Sequence, residues 1–402
     1  MTDRLYYADS YTARFETVVT EQILYQGKPA LSLNQTYFYP SSGGQPNDIG
    51  SIGDITVEDV LVRDEDGEIL HILSTPTPSL VGQSVTCVID WARRFDHMQQ
   101  HTGQHILTQA FIQTSSAKTV GFHLGTDNVT IDLDVNALTE SQIEAAEKLA
   151  NEVVQGDKAV TATIREAGDQ DGVRMRKMPK HIVTDGLRVV DIEGFDTTAC
   201  GGTHVARTGE IGLIKIIKLE KRGDKVRLEF RCGGRALADY SDKHRVISAL
   251  ANEMNCRFPE VPEIVAKLRA ELKTAQTALK ELREQLVEYE AAKLLAEATQ
   301  HNGYKLIAAS FDGRDAGELR LLVSRLAANQ GVVVLMGTTG EKAQLLFARS
   351  ADLTFNMGAL LKEAVGKLGG RGGGQPNFAQ GGGVAASLEQ VRSVIEATAA
   401  SL

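Results

Sequence analysis

The chain has 402 residues, 42% of them hydrophobic and 24% charged, with a formal net charge of −9 at pH 7. That length exceeds one ordinary hydrophobic core, so two to four domains are expected, and the acidic balance excludes a generic polyanion binder. No apolar run is long enough for a bilayer, and Met1 to Arg14 lacks the apolar core of a signal peptide, so a cytoplasmic protein without a membrane partner is expected. The four cysteines, Cys87, Cys200, Cys232 and Cys256, are too scattered for a disulfide framework.

In chain order, residues 1–90 read as short β runs separated by turns. Arg14 to Thr20, Pro29 to Tyr39, Asp54 to Val62, Glu68 to Leu73 and Ser84 to Asp90 are rich in Val, Ile, Thr and Tyr, with a hairpin turn at Asp64 to Gly67. No helical period interrupts them, which predicts a small barrel or sandwich. Residues 91–257 read as an α+β core. A helix from Trp91 to about Thr114 carries His97, His101 and His105. On a helix the i, i+4 spacing puts two imidazoles on one face, and the pair His101 and His105, with Gly103 between them, is the better match to a metal site than His97 and His101. Thr102 stands where a zincin peptidase would carry its glutamate, which excludes that protease chemistry.

A second half of the site lies at Cys200-Gly201-Gly202-Thr203-His204. Three nitrogens and one sulfur favour zinc. Four protein ligands usually make a closed structural site. The lack of paired Cys-x-x-Cys knuckles and the basic residues around the turn argue for an openable one. Arg174, Arg176, Lys177, Lys180 and Arg188 form one basic cluster; Lys215, Lys218, Lys221, Arg222, Lys225, Arg227, Arg231 and Arg235 form another, together a candidate polyanion cradle. Between them Thr139 to Gln142 has the form of a capping box and opens a helix to about Gln155.

Residues 258–300 read as a long helical spacer. Val261, Val265, Leu268, Leu272, Ala275, Leu279, Leu282, Leu286 and Tyr289 make a heptad seam, expected to self-associate as a coiled-coil-like homodimer or to pack back on the last domain. Residues 301–402 read as an α/β domain, with strands at Tyr304 to Ser310, Val332 to Met336 and Gln344 to Ala348 and helices at Glu318 to Ala328 and Ala386 to Ala399. Its glycine run, Gly369 to Gly383, lacks the ending of a P-loop and reads as a loop whose N–H groups would suit a phosphate or a chain terminus.

Taken together, Phe38-Tyr39-Pro40 with Gly43-Gly44-Gln45, His101-x-x-x-His105, Cys200-Gly-Gly-Thr-His204 and Thr208-Gly209-Glu210-Ile211-Gly212 resemble the editing domain of alanyl-tRNA synthetase. They resemble more closely the freestanding alanyl-tRNA editing proteins called AlaX, and the C-terminal glycine-rich region is similar to the DHH-associated domain of the long form. The resemblance implies an aminoacyl-tRNA deacylase acting on tRNA(Ala) mischarged with serine, and secondarily with glycine. It implies that His101, His105, Cys200 and His204 hold zinc, that the Gly43, Gly44 and Gln45 loop lines the amino-acid pocket, and that Thr36 senses the serine hydroxyl. Arg174 and Lys177, in the first basic cluster, are then expected to contact the tRNA. Ser41-Ser42 stands where many of these proteins carry Glu-Gly, and nothing before Tyr6 resembles a synthetase catalytic core, so charging of alanine is not expected.

Overall fold

A computed structural model describes residues 1–126, 128–166, 171–175 and 186–402. Their contacts divide the chain into two units, Met1–Leu250 and Ala251–Leu402.

The first unit begins with β1 (Asp3–Arg4), β2 (Arg14–Tyr25), β3 (Lys28–Leu33), β4 (Gln35–Thr36), β5 (Gly50–Ile52), β6 (Ile55–Val62), β7 (Ile69–Leu73) and β8 (Ser84–Ile89). Six of them close a barrel in the order β2-β3-β7-β6-β5-β8. The alternation of β2 turns Phe15, Thr17 and Val19 inward, onto a core of Leu31, Leu33, Val57, Val60, Ile69 and Leu73. Two details depart from the sequence reading. The three-residue β5 is too short to signal itself. The run expected from Pro29 to Tyr39 ends at Leu33, after which Gln35 and Thr36 pair in parallel with Asp3 and Arg4. From Tyr37 the chain leaves the barrel wall, and residues 37–49 form the loop that carries Gly43, Gly44 and Gln45.

Next come α1 (Trp91–Ser115), β9 (Thr119–Leu124), β10 (Val129–Leu133), α2 (Glu140–Gln155), β11 (Val160–Arg165), β12 (Leu187–Ile192), β13 (Asp196–Ala199), β14 (Ile214–Arg222), β15 (Lys225–Cys232) and α3 (Gly233–Glu253). They build a four-stranded antiparallel sheet, β14-β15-β10-β9, and a three-stranded one, β11-β12-β13. Asp90 caps α1 by accepting from Arg93 N (3.1 Å). The expected capping box is present on α2, with Thr139 and Gln142 bonding reciprocally. Apolar residues of α1, among them Met98, Ile106, Leu107 and Phe111, join Ile131, Leu228 and Phe230 in the core.

The barrel loop is tied to α1 by a fully buried ion pair. The Arg94 guanidinium grips the Asp48 carboxylate, with Nε 3.0 and 3.1 Å from its oxygens, and Nη1 donates to Ser10 O at 2.8 Å. Asp48 also accepts from Tyr39 N (2.6 Å), so one carboxylate fixes both ends of the loop.

The second unit contains α4 (Val261–Glu297), β16 (Thr299–His301), β17 (Tyr304–Phe311), α5 (Ala316–Ala327), β18 (Val332–Thr338), β19 (Gln344–Arg349), α6 (Met357–Lys367), β20 (Arg371–Gln375), β21 (Phe378–Gly382) and α7 (Leu388–Ala399). Its strands form one six-stranded sheet in the order β16-β17-β18-β19-β21-β20. The glycine run is a β-hairpin rather than a loop, β20 pairing with β21 from Arg371↔Gly382 to Gln375↔Phe378 at the edge of the sheet. Bare glycine backbone is what lets this hairpin lie against α6, since a Cβ on Gly372 would come within 3.1 Å of Leu361. Helix α6 itself was not foreseen. In α4 the expected seam lies in solvent, with Leu268, Leu272, Leu279, Leu282, Leu286 and Tyr289 all exposed. A different stripe, Val287 and Ala291 with Leu294 and Leu295, packs on the core of this unit. No helix among the described residues is long and apolar enough to cross a membrane.

Removing one partner of a buried ion pair leaves an uncompensated charge, typically costing about 3–5 kcal/mol. Arg94→Ala is therefore expected to lower the stability of the first unit by that amount, read as an earlier unfolding transition in urea monitored by circular dichroism. An unchanged midpoint would refute the clamp.

Candidate metal centre

Helix α1 presents His101 and His105 on one face, and the turn after β13 presents Cys200 and His204 opposite them. One donor atom from each lies within 4.8 Å of all the others, and none of the four side chains is exposed. Cys200 Sγ is 3.4 Å from His101 Nε2 and 3.3 Å from His204 Nε2. A tetrahedral ion held at metal–donor distances of about 2.0–2.3 Å separates its donors by roughly 3.3–3.8 Å, so these spacings fit one ion.

The outer contacts decide which nitrogen of each ring faces inward. Gln45 Oε1 accepts the backbone N–H of Thr203 (3.2 Å), which identifies it as the amide oxygen, and its Nε2 donates to Thr203 Oγ1 (2.8 Å). The same Oε1 lies 2.7 Å from His101 Nδ1, which must therefore carry the proton, leaving the Nε2 lone pair pointed at Cys200. In His204 the Nδ1 lies 3.1 Å from Thr102 Oγ1 and Nε2 is on the sulfur side. Burial, together with its neighbours His101 and His105, holds the His204 imidazolium well out of reach at neutral pH, so the ring is neutral and able to ligate. His105 Nδ1 stands 3.9 Å from Asp196 Oδ2 and 3.5 Å from Arg174 Nη2. Asp196 is in turn gripped by Arg174 (Nη2 at 2.5 Å) and receives the Thr198 hydroxyl.

Two glycines make the approach possible. A Cβ on Gly202 would sit 2.2 Å from His101 Cε1, inside the ring's own space. Gly44, at φ +96°, comes so close to β9 that a Cβ would meet Phe122 O at 2.8 Å, and Phe122 stacks on His101 at 5.2 Å. Arg188 completes the turn: Nη1 donates to Cys200 O (2.6 Å) and Gly202 O (3.0 Å), and Nε to Tyr7 O (3.0 Å).

The proposed site residues thus fall into distinct places. His101, His105, Cys200 and His204 converge, and Gln45 and Arg174 stand directly behind two of the imidazoles. Gln45 is buried and spends its amide on Thr203 and His101. Gly43 and Gly44 belong to the loop that brings it there. Thr36 is fully buried in the barrel, where its hydroxyl lies 2.9 Å from His71 Nε2 and accepts from Phe38 N (3.1 Å). Lys177, with Arg176 and Lys180, lies outside the described residues. Both basic clusters are partly neutralised. Arg188 is interior, and Lys215, Arg227, Arg231 and Arg235 pair with Glu147, Asp132, Asp239 and Asp96. Asp48, Arg94, Thr102, Asp196 and Thr203 were not foreseen. Only Thr102 and Thr203 neighbour a motif; the others lie in ordinary-looking sequence.

Residues 187–228, which include the Cys200 turn, match the family described as the threonyl and alanyl tRNA synthetase second additional domain, and residues 303–401 match the DHHA1 domain. The alanyl-tRNA editing protein AlaX-L of Pyrococcus horikoshii is 29% identical over 95% of this chain and 94% of its own length. Alanine–tRNA ligases of Pyrococcus abyssi (30% identical, 98% of this chain, 43% of the ligase) and Halobacterium salinarum (33%, 95% and 42%) are similar too. The chain spans less than half the length of those ligases, whereas it is similar to AlaX-L from end to end.

Cys200→Ala deletes one of four donors and is expected to abolish stoichiometric metal. Asp196→Asn leaves the donors intact but loosens the group behind His105, and a 10- to 100-fold weaker metal affinity is expected. Both are read by metal content after dialysis against graded chelator; full occupancy in Cys200→Ala would overturn the ligand assignment.

Proposed function

We propose that this chain is a trans-editing deacylase that hydrolyses the ester of tRNA(Ala) mischarged with serine, and secondarily with glycine, at a zinc site made by His101, His105, Cys200 and His204. The observation that carries the reading is the convergence of those four donors from two distant segments against the Gly43–Gln45 loop, in a chain similar to AlaX-L along its length. Three imidazoles and a thiolate suit zinc, which when bound supplies Lewis acidity or a fixed anchor for the substrate. Around it the protein orients: Gln45 fixes the His101 ring, Thr102 that of His204, and Arg188 the turn that bears Cys200.

Thr36 is the proposed reader of the serine hydroxyl. His71 Nδ1 faces the carbonyl of Leu31 (3.1 Å) and must donate to it, and burial lowers its pKa to about 4, so the ring is neutral and its Nε2 can only accept. The Thr36 proton therefore goes to His71, and towards anything else Thr36 presents an acceptor. A site with a fixed acceptor favours a substrate that donates a hydroxyl over alanine, which would leave it unpaired.

The rival is a non-catalytic tRNA-binding or assembly protein, favoured by the four-ligand set, which is the closed structural type. Incubation with seryl-, glycyl- and alanyl-tRNA(Ala) decides between them. Serine is expected to be released fastest and alanine to be spared, with loss of activity on chelation. Thr36→Val should lower the seryl rate at least 10-fold and the glycyl rate less. No ester loss above buffer by the metal-loaded protein would sink the enzyme reading.

The proposal includes a four-part division of the chain at about residues 90, 257 and 300 and a homodimer through the spacer and the C-terminal domain. The exposed leucines of α4 support self-association. Sedimentation at micromolar concentration should give a dimer that Leu272→Glu with Leu279→Glu dissociates, and a wild-type monomer would refute it.

A further inference from the structure

A cavity of about 500 Å³ opens one turn before the metal ligands on α1. Its walls include Pro46, Arg93, His97, His123 and Leu124. None of these groups has a part in holding the metal. Pro46 follows Gln45 directly, and Leu124 N donates to Gly44 O (3.0 Å), so the loop that orients His101 is also a wall of this cavity. His97 precedes His101 by four residues, about 6 Å along the helix axis.

The lining asks for an anion. His97 is 2% exposed, and its buried Nδ1 has no hydrogen-bond partner among the described residues. Buried polar atoms are normally satisfied, and an orphan beside a cavity marks a place where a partner is missing. With the N–H on Nδ1 the orphan is an unsatisfied donor, and an anion is the partner that satisfies it. Burial and Arg93 keep this ring neutral.

The charge around it is unbalanced in the same direction. Arg94 is neutralised by Asp48 and Arg235 by Asp96, but Arg93 makes no ion pair among the described residues, its Nε donating only to Asn47 O (3.0 Å). Asp90, the helix cap, accepts from Arg93's backbone rather than its guanidinium. Among the described residues the His97 ring belongs to no group of metal-ligating side chains. A guanidinium whose Nη groups make no ion pair among the described residues and an imidazole are donors that recognise a phosphate.

We propose that this cavity is a phosphate subsite, with Arg93 and His97 as its donors, which takes the phosphodiester on the 5′ side of the terminal adenosine of the aminoacylated tRNA. The inference rests on the deacylase reading for the identity of the strand. A 3′ aminoacyl ester placed at the metal has its own nucleotide's phosphate one sugar away, and His97 in the cavity wall precedes His101 by one helical turn. Arg93 and His97 thereby set how the ester is delivered rather than how it is cleaved.

The test separates binding from chemistry. Calorimetry on the zinc-loaded full chain compares the trinucleotide CpCpA, adenosine and inorganic phosphate. CpCpA is expected to bind at least 10-fold tighter than adenosine, and Arg93→Ala and His97→Gln to erase that advantage while adenosine binding stays within 2-fold. In kinetics the same variants should raise KM for seryl-tRNA(Ala) about 10-fold and leave hydrolysis of 3′-O-seryladenosine, which has no phosphate, unchanged. Equal binding of CpCpA and adenosine by the wild type overturns the proposal, as do variants that weaken adenosine equally. Arg93-dependent binding of inorganic phosphate without a gain for CpCpA overturns the assignment to tRNA. Absence of deacylation by the wild type would sink the enzyme reading, whereas the calorimetric comparison decides the subsite by itself.

Discussion

One side-chain amide holds the first unit's chemistry together. Gln45 reaches from the barrel loop to His101 on α1 and to Thr203 in the turn after β13, so three segments separated by 56 and 158 residues meet on a single group. A buried amide is costly unless it is satisfied, and here both ends are. Its position is not left to its own rotamer freedom. Asp48 and Arg94 anchor the loop three residues on, and Gly44 lets the loop lie against β9. Without the ion pair the amide would have no fixed origin; without the amide the imidazole would have no fixed tautomer.

This dependence inverts the usual logic of a core helix. Most globular helices bury an apolar stripe. Helix α1 buries Arg94, His97, Gln100, His101, Thr102, Gln104, His105 and Thr108 as well. Each needs a partner of matched geometry: Gln100 bonds both backbone groups of Cys232, at 2.8 and 2.9 Å, and Gln104 the Thr108 hydroxyl at 2.7 Å. Such a helix depends on its hydrogen bonds as well as on its apolar residues, His97 Nδ1 being left without a partner among the described residues, and polar groups buried unsatisfied are costly. Small changes at the loop or the turn therefore register at the metal ligands.

The same inversion explains what could be read from the chain. The motif histidines, the Cys200 turn and the barrel's β texture were legible because spacing and residue type declare them. The groups that orient the ligands were not. Asp196, Asp48 and Arg94 look like surface charges in sequence, and only the fold shows that each is buried against a partner 22 to 46 residues away. Charge counting misled for the same reason, since five of the eight residues of the second basic cluster make ion pairs. In the second unit the glycine run hid its strands, because glycine carries no side chain to alternate. The heptad pattern of α4 named a real apolar stripe, but the residues that pack on its own unit, Val287 and Ala291, lie off that seam.

A polar interior of this kind has a functional consequence that an apolar one would not. Groups whose donors and acceptors are fixed by protein partners present one polarity only: Thr36 an acceptor, because His71 takes its proton, and His101 a lone pair on Nε2 facing Cys200, because its Nδ1–H is donated to Gln45. An unconstrained hydroxyl would rotate to suit either a donor or an acceptor and would discriminate poorly. Discrimination between amino acids that differ by one hydroxyl rests on denying that choice, since size alone separates them weakly. The buried hydrogen bonds that make the first unit hard to read from its sequence are thus the same ones that would make it selective.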